Sequence, residues 1–558
     1  MYTPDSKSNH PLTSCNPLFS CNPHAAGTIY LFGKVFNEAS DSYVSTCVTV
    51  EGLERNLFVL PRAFKVDRDG ETTDEKVEMV DVYQELELML SKQGIQSFAC
   101  KPVQRKYAFE KAEIPAEATW LKVKYSATFP KALEGATGKT FSHVFGAGIG
   151  PLERFLMKRD LMGPCWLDIK GATASFRKVS WCKIEASVTD PKMIVRTPQP
   201  PASPPLVVLS LNMQTVLNRK TAKNEILVVS GLVHNTVECD GPTLNPEQGF
   251  SHFTGIRKLG AEPFPFDFRP RCHQTRRDTT QLHPNERSLL GYVLGKIAKI
   301  DPDVIVGHNL LGFDLDVLLH RIKANNIPHW SKIGRLRRTM MPKLQAGPGG
   351  RANFAEKAAA SGRLLVDLKI SAREFVKLTT YEMTELALTQ LGAARIDVDS
   401  DMIPGMYQQS DTLLQLCDHV EQDAFYIMSV MMKLLVLPLS KQITNITGGL
   451  MARTFAGGRS ERNEYLLCHE FHRRKYIVPD KKGWTPKGGG FQGAGVNPDG
   501  DGGPEGGGGG GGGSKKGPRR KKAGYGGGLV LEPKRGFYDK FILLLDFNSL
   551  YPSIIQGQ

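Results

Sequence analysis

Residues 541–555 read Phe541-Ile542-Leu543-Leu544-Leu545-Asp546-Phe547-Asn548-Ser549-Leu550-Tyr551-Pro552-Ser553-Ile554-Ile555. The opening run is continuously apolar, as in a strand buried on both faces, although periodicity alone leaves a buried helix open. A carboxylate, Asp546, ends the run. An ionised carboxylate is too costly to bury without a partner, so Asp546 either reaches a cleft at the strand end or meets a cation. Mg²⁺ is the natural cation for a single carboxylate that shares its metal with substrate phosphates. Asn548 to Pro552 then read as a turn into a helix start, whose exposed backbone N–H groups suit a phosphate. The plainer alternative is a buried strand followed by a helix that Asp546 caps.

From Asp546 to Ile554 the stretch matches Asp-x-x-Ser-Leu-Tyr-Pro-Ser-Ile without a break, and in this it resembles motif A of the B-family DNA polymerases. Just upstream, Tyr525-Gly526-Gly527-Gly528 resembles the Tyr-x-Gly-Gly element of that family, and Gly528 to Lys540 is similar to its replicative, primer-extending members. The resemblance implies nucleotidyl transfer, in which a primer 3′-hydroxyl attacks a deoxynucleoside triphosphate (dNTP) between two Mg²⁺ ions. It implies that Asp546 bridges both ions and that the Phe547 carbonyl ligates the triphosphate-side ion. Ser549 and the Leu550 N–H would hold triphosphate oxygens, and Tyr551 would lie under the sugar and exclude a 2′-hydroxyl. Tyr525, Gly527, Arg459 and Arg462 are candidates for nucleic-acid contacts. The implied partners are primer–template DNA, RNA-primed DNA and dNTP, with primase and an accessory subunit docking on a C-terminal region. The implied location is the nucleus.

Gln558 follows directly. A Tyr-Gly-Asp-Thr-Asp hairpin carrying the second metal-binding carboxylate does not occur in the 558 residues, nor does a Lys-rich fingers helix. The expectation is therefore a fragment or a truncated reading with an incomplete palm, inactive alone, because one carboxylate cannot hold two catalytic metals. The rival reading is a non-catalytic module that binds nucleic acid.

A length of 558 residues favours roughly three to five domains. The formal net charge of +14 suits a polyanionic partner but by itself is also a solubility bias. Ten cysteines occur without a Cys-x-x-Cys pair, which argues for free thiols in a reducing compartment rather than a zinc ribbon. The polar N-terminus has no signal-peptide core, and no apolar run approaches a membrane span, so an intracellular, soluble protein with no membrane partner is expected.

The expected fold class is α/β and α+β, multidomain. Residues 1–26, rich in Ser, Asn and Pro, read as disordered. Residues 27–200 read as a mixed N-terminal domain, opening with strands at 29–36, 43–50 and 56–60 and a helix over 80–90, and completed by 437–482. Residues 201–436 alternate strands and helices, among them a strand at 206–211 and helices at 288–300, 315–322 and 425–436. Residues 483–524, with their Gly run and basic tail, read as a linker, and 525–558 as the first part of a palm. Two Gly-rich stretches, 135–140 and 146–150, lack the spacing of a phosphate or dinucleotide loop.

By resemblance, residues 201–436 are an RNase-H-like, exonuclease-like domain. Such a site holds two divalent metals in a ring of carboxylates. Where its first motif carries Asp-x-Glu, this chain has Asn212 and Gln214. The second motif is intact around Asp314, and the third keeps Asp423, with His419 where a Tyr is usual. With two anionic ligands replaced by amides, loss of 3′→5′ proofreading is expected, leaving a relic site. The basic stretch 329–338 offers Lys and Arg for phosphates, with Trp330 read as a packed core residue rather than a base-stacking one.

Overall fold

In the computed structural model the described residues are 12–21, 27–67, 69–108, 111–175, 178–243, 249–275, 279–344, 354–480 and scattered positions between 534 and 556. They carry three large sheets in a mixed α/β multidomain arrangement. The first sheet has seven strands and is built on the hairpin Ile29–Asn37 with Ser42–Val50. Both its faces are buried. Ile29 and Leu31 pack with Val48, Leu167 and Phe155, while Tyr30 and Phe32 pack with Val208, Val304 and Val366 of the next domain. That two-sided burial explains why the run reads as almost continuously apolar. Contrary to the expectation of disorder over 1–26, Leu12–Cys21 pairs antiparallel with residues 29–34 and with Leu167–Ile169. The strands it joins would otherwise leave backbone groups unpaired, and pairing overrides a polar composition.

The second sheet has five strands and is covered by helix Met79–Lys92. Val82, Leu86 and Leu90 of that helix pack on Leu57, Val59, Leu121 and Val123. The helix starts on a capping box, with Asp81 accepting the Glu78 N–H at 2.9 Å. The edge of this sheet is Tyr476–Ile477, paired parallel to residues 106–107.

The third sheet follows both in sequence, apart from the returning strand Tyr476–Ile477. Its strands are β1 (Leu206–Asn218), β2 (Lys223–Val237), β3 (Phe250–Arg257), β4 (Thr280–His283), β5 (Val304–Gly307) and β6 (Leu364–Asp367), in the order β4-β3-β2-β1-β5-β6. β1 and β2 form a long antiparallel hairpin with a bulge at Gln214/Thr215, and β1, β5 and β6 run parallel. Helices α1 (Glu286–Ile300) and α2 (Leu315–Ala324) cover one face, where Leu289, Val293, Leu318 and Ile322 meet Leu209, Leu211 and Val229. Helix α3 (Ser410–Lys433) covers the other, where Ala424, Ile427 and Met428 meet Val208 and Val304. The helix expected over 425–436 is thus the end of a helix that begins at Ser410 and the start of another, Val436–Thr447. Leu435, at φ +48°, breaks the two apart. No single helix among the described residues is long and apolar enough to cross a membrane.

Residues 499–558 form a second compact unit. There Ser553, Ile554 and Gln556 are helical. Asp546, Phe547, Ser549, Leu550, Tyr551, Tyr525 and Gly527 lie outside the described residues, as does most of the segment 483–558.

Candidate functional site

Asn212, Asp314 and Asp423 are positioned where β1 and β5 run side by side and α3 crosses them. Ser210 anchors the crossing, its buried hydroxyl donating to the Ala424 carbonyl at 2.7 Å. Two residues on, Asn212 donates its amide to the Val420 carbonyl at 3.2 Å and reaches Asp423 Oδ2 at 3.5 Å. The amide therefore satisfies a carbonyl and approaches a carboxylate as a donor, which an aspartate cannot do. Gln214 sits at the bulge of the β1–β2 hairpin, half-buried.

The chain leaves β5 through Gly307, where a Cβ would be crowded, standing 3.1 Å from the Leu211 carbonyl. Asn309 follows in the left-handed region, at φ +57°. Residues 310–314 make a single π-type turn that delivers Asp314 to the start of α2. Asp367, at the end of β6, holds this turn by accepting the Asn309 and Leu311 N–H groups at 3.2 and 2.9 Å. Asp314 is buried, and burial first, then the charge of Asp367, pushes its carboxyl well above the usual range. Burial and the neighbouring Asp367 both work against the charged form of Asp314.

Asp423 has a different partner. Arg395 donates Nε to Asp423 Oδ1 at 2.6 Å and Nη2 to Oδ2 at 2.9 Å. The guanidinium also donates to Thr384 Oγ1 at 2.7 Å and pairs with Asp397. Burial works against the charge on Arg395, but Asp423 and Asp397 outweigh it and hold its pKa above the ordinary value. His419 Nε2 stands 3.5 Å from Asp423 Oδ2, and burial depresses its pKa despite that carboxylate. Arg395 was not visible in the sequence as part of this site. It lies 28 residues from Asp423 in an irregular segment, where nothing in the local pattern marks it. A divalent cation approaching Asp423 has to displace this guanidinium. Among the described residues no group of three or more His, Cys, Asp or Glu side chains is arranged to hold a metal, so the residues present do not fit a pair of dications.

The basic stretch 329–338 turns inward. Trp330 is buried and packs with Ile333, Leu319 and Ala359. Arg335, 2% exposed, donates Nη2 to Asp303 at 2.8 Å and Nε to Asp301 at 2.9 Å. Lys34 of the first sheet reaches the same Asp303 at 2.8 Å, and Arg363 reaches Asp301 at 2.8 Å. Arg337 stacks 4.1 Å above the Trp181 ring. Arg335 at the centre of this stretch thus has its charge paired within the protein, while Arg337 remains exposed beside the Trp181 ring.

Arg462 is likewise committed. Its guanidinium pairs with Glu374 and donates Nη2 to the Thr454 carbonyl at 2.8 Å. Its side chain is 11% exposed, so its charge faces Glu374 more than the surface. Arg459, at the start of the same helix, is exposed. The two Gly-rich stretches bind carboxylates of the protein itself. The Lys139 and Thr140 N–H groups each donate to Glu85 at 2.7 Å, and those of Gly146 and Gly148 each donate to Asp480 Oδ1 at 3.1 Å.

Comparison with known proteins bears on this arrangement directly. Residues 142–386 match the profile of the DNA polymerase family B exonuclease domain, and residues 450–558 match that of DNA polymerase family B. The chain belongs to DNA polymerase family B. Within this family it is 48% identical over 95% of its length to the DNA polymerase alpha catalytic subunit of Xenopus laevis, and 44% identical over the same share to that of Mus musculus. The corresponding protein of Drosophila melanogaster is 36% identical. The alignments cover 35% of the Xenopus and mouse proteins, so the chain spans about a third of the length of these relatives. A solved structure of the family B DNA polymerase from the archaeon Pyrobaculum calidifontis aligns over 83% of this chain and 51% of its own, with a TM-score of 0.55 and 14% identity. That likeness is one of fold.

Proposed function

We propose that the protein is a DNA-directed DNA polymerase of the alpha type, extending primers with dNTP during nuclear DNA replication. The observation that carries this reading is the unbroken motif Asp546 to Ile554, inside a stretch that matches the family profile. Asp546 and the Phe547 carbonyl are hard oxygen donors, the set that suits Mg²⁺ beside a triphosphate. When bound, Mg²⁺ supplies charge stabilisation for the attacking and leaving oxygens. Ser549 and the Leu550 N–H orient the triphosphate, and Tyr551 closes the space a 2′-hydroxyl would need. The substrates are primer–template DNA, including RNA-primed DNA, and the partners are primase and an accessory subunit. Residues 27–200 with 437–482, 201–436 and 525–558 serve as N-terminal, exonuclease-like and palm parts. The cleft around Asp423 is catalytically silent in this reading, because the Arg395 guanidinium is already paired with Asp423 and amides stand at Asn212 and Gln214, which leaves little negative charge for two dications. The full-length protein is tested by primer extension on RNA-primed DNA with Mg²⁺. Extension that Asp546→Asn abolishes supports the reading, and extension that persists in that variant overturns the role of Asp546.

A further inference from the structure

The strongest unexplained group in the first compact unit is Arg154, on helix Pro151–Arg159. It is 8% exposed, yet its Nη1 is buried with no hydrogen-bond partner among the described residues. Its Nη2 reaches only Glu54, at 3.5 Å. Glu54 is shared further, with Lys158 at 3.2 Å and Lys124 at 3.4 Å. One carboxylate thus serves three cations, none at the short separation of a strong charge-assisted bond.

Arg154 lines a cavity of about 240 Å³ between residues 52–54, the helix and residues 189–192. Lys158, Arg159 and Lys192 also line it, against the carboxylates Glu54 and Asp190. Asp190 is partly engaged, since it caps the turn by accepting the Lys192 N–H at 2.9 Å. The excess of positive charge continues along the second sheet. Lys101 stands directly opposite Lys122 on neighbouring strands, an unfavourable like-charge pair, and Lys124 follows on the same face as Lys122. Burial first, and then Arg154, Lys124, Arg105 and Lys101, bring Lys122 down to about 8. Burial first, and then Lys475, Arg154 and Lys122, bring His472 down to about 4. A fold that holds a buried guanidinium short of partners beside a row of repelling cations gains from an incoming anion.

We propose that this cavity binds a phosphate group, and that its source is the backbone of single-stranded nucleic acid. A free phosphate would fill the cavity but leave the row from Lys124 to Lys101 uncompensated, whereas a strand carries one charge per nucleotide along it. The site rests on the polymerase reading for its biological ligand, and it lies on residues that the motif at Asp546 does not involve.

The test is fluorescence anisotropy of the whole chain with labelled oligothymidylate across a range of salt, with inorganic tripolyphosphate as a second probe. The double variant Lys158→Gln with Lys192→Gln is expected to weaken oligothymidylate binding more than about 10-fold at 0.05 M salt and to flatten the salt slope by about 0.7 per lysine removed. Arg154→Gln is expected to weaken binding while holding or raising the melting temperature, because it removes a buried, under-partnered charge. Tripolyphosphate is expected to compete only weakly. Tripolyphosphate that binds tightly where oligothymidylate does not overturns the nucleic-acid source. Variants that match the wild type in affinity and slope, or a wild type that binds neither probe, overturn the site. Neither result touches the polymerase reading, which primer extension by the full-length protein decides.

Discussion

Arg395 grips Asp423 with two parallel hydrogen bonds, 2.6 Å from Nε to Oδ1 and 2.9 Å from Nη2 to Oδ2. Planar, two-pronged pairing of this kind is the geometry a guanidinium makes best with a carboxylate. Here it sets a fixed monovalent cation on a carboxylate that an active relative would give to a metal.

Placing carboxylates at positions 212 and 214 is therefore not expected to be enough to create a metal site. Asn212→Asp with Gln214→Glu is expected to leave Mn²⁺ affinity, followed by electron paramagnetic resonance, within a few-fold of the wild type. Adding Arg395→Ala is expected to strengthen it by about 100-fold, since ligand charge sets cation affinity. Equal Mn²⁺ binding by the double and triple variants would show that Arg395 does not guard the site.

Asp314 makes stability depend on pH. Its folded pKa is raised, by burial and then by Asp367, so the unfolded chain loses this proton first as pH rises. Stability then falls from about pH 4, the unfolded value, up to the folded pKa, by about 1.4 kcal/mol for each unit between them. Asp314→Asn removes the penalty. Urea melts should find the variant more stable than the wild type at pH 7, with the gap closing near pH 4. A gap that does not change with pH would contradict this.

The cluster of Lys34, Arg335, Asp301 and Asp303 ties the first sheet to β5. Arg335→Ala leaves two buried carboxylates under-partnered and is expected to cost about 3–5 kcal/mol in denaturant unfolding. Arg337→Ala, which loses a stacked ring contact over Trp181, is expected to cost about 1 kcal/mol. Similar losses for the two would mean that the buried cluster is not what holds this contact.

Arg462→Ala strands Glu374 and should destabilise by about 1–3 kcal/mol. Arg459→Ala should leave the melting temperature unchanged and act only on primer–template affinity. Binding lost in the first variant with its stability intact would return Arg462 to the template.

In the full-length protein, Tyr551→Val is expected to admit ribonucleotides while leaving dNTP incorporation measurable. Unchanged sugar selection in single-nucleotide insertion assays would remove the gating role of Tyr551.

Local patterns in the sequence carried much of the architecture. The apolar runs at 29–36, 43–50 and 206–211 became strands because their periods match what a pleated, buried sheet requires. The helix expected over 80–90 is Met79–Lys92, with the capping box at Glu78 and Asp81 and the buried stripe of Val82, Leu86 and Leu90 setting its limits and its packing face. The family itself was legible from Asp546 to Ile554, where chemistry restricts nearly every position. Helix α3 extends further than its sequence stripe suggests because its N-terminal half packs on one core and its C-terminal half on another, which blurs a single stripe. What the tertiary structure alone decided is where charges end up. Nothing local shows that Arg335 faces buried carboxylates, that Arg462 pairs with Glu374, that Arg395 closes on Asp423, or that Arg154 is left short of partners. Those outcomes depend on groups far apart in the chain, and electrostatic energy follows distance and burial in space, not separation along the sequence.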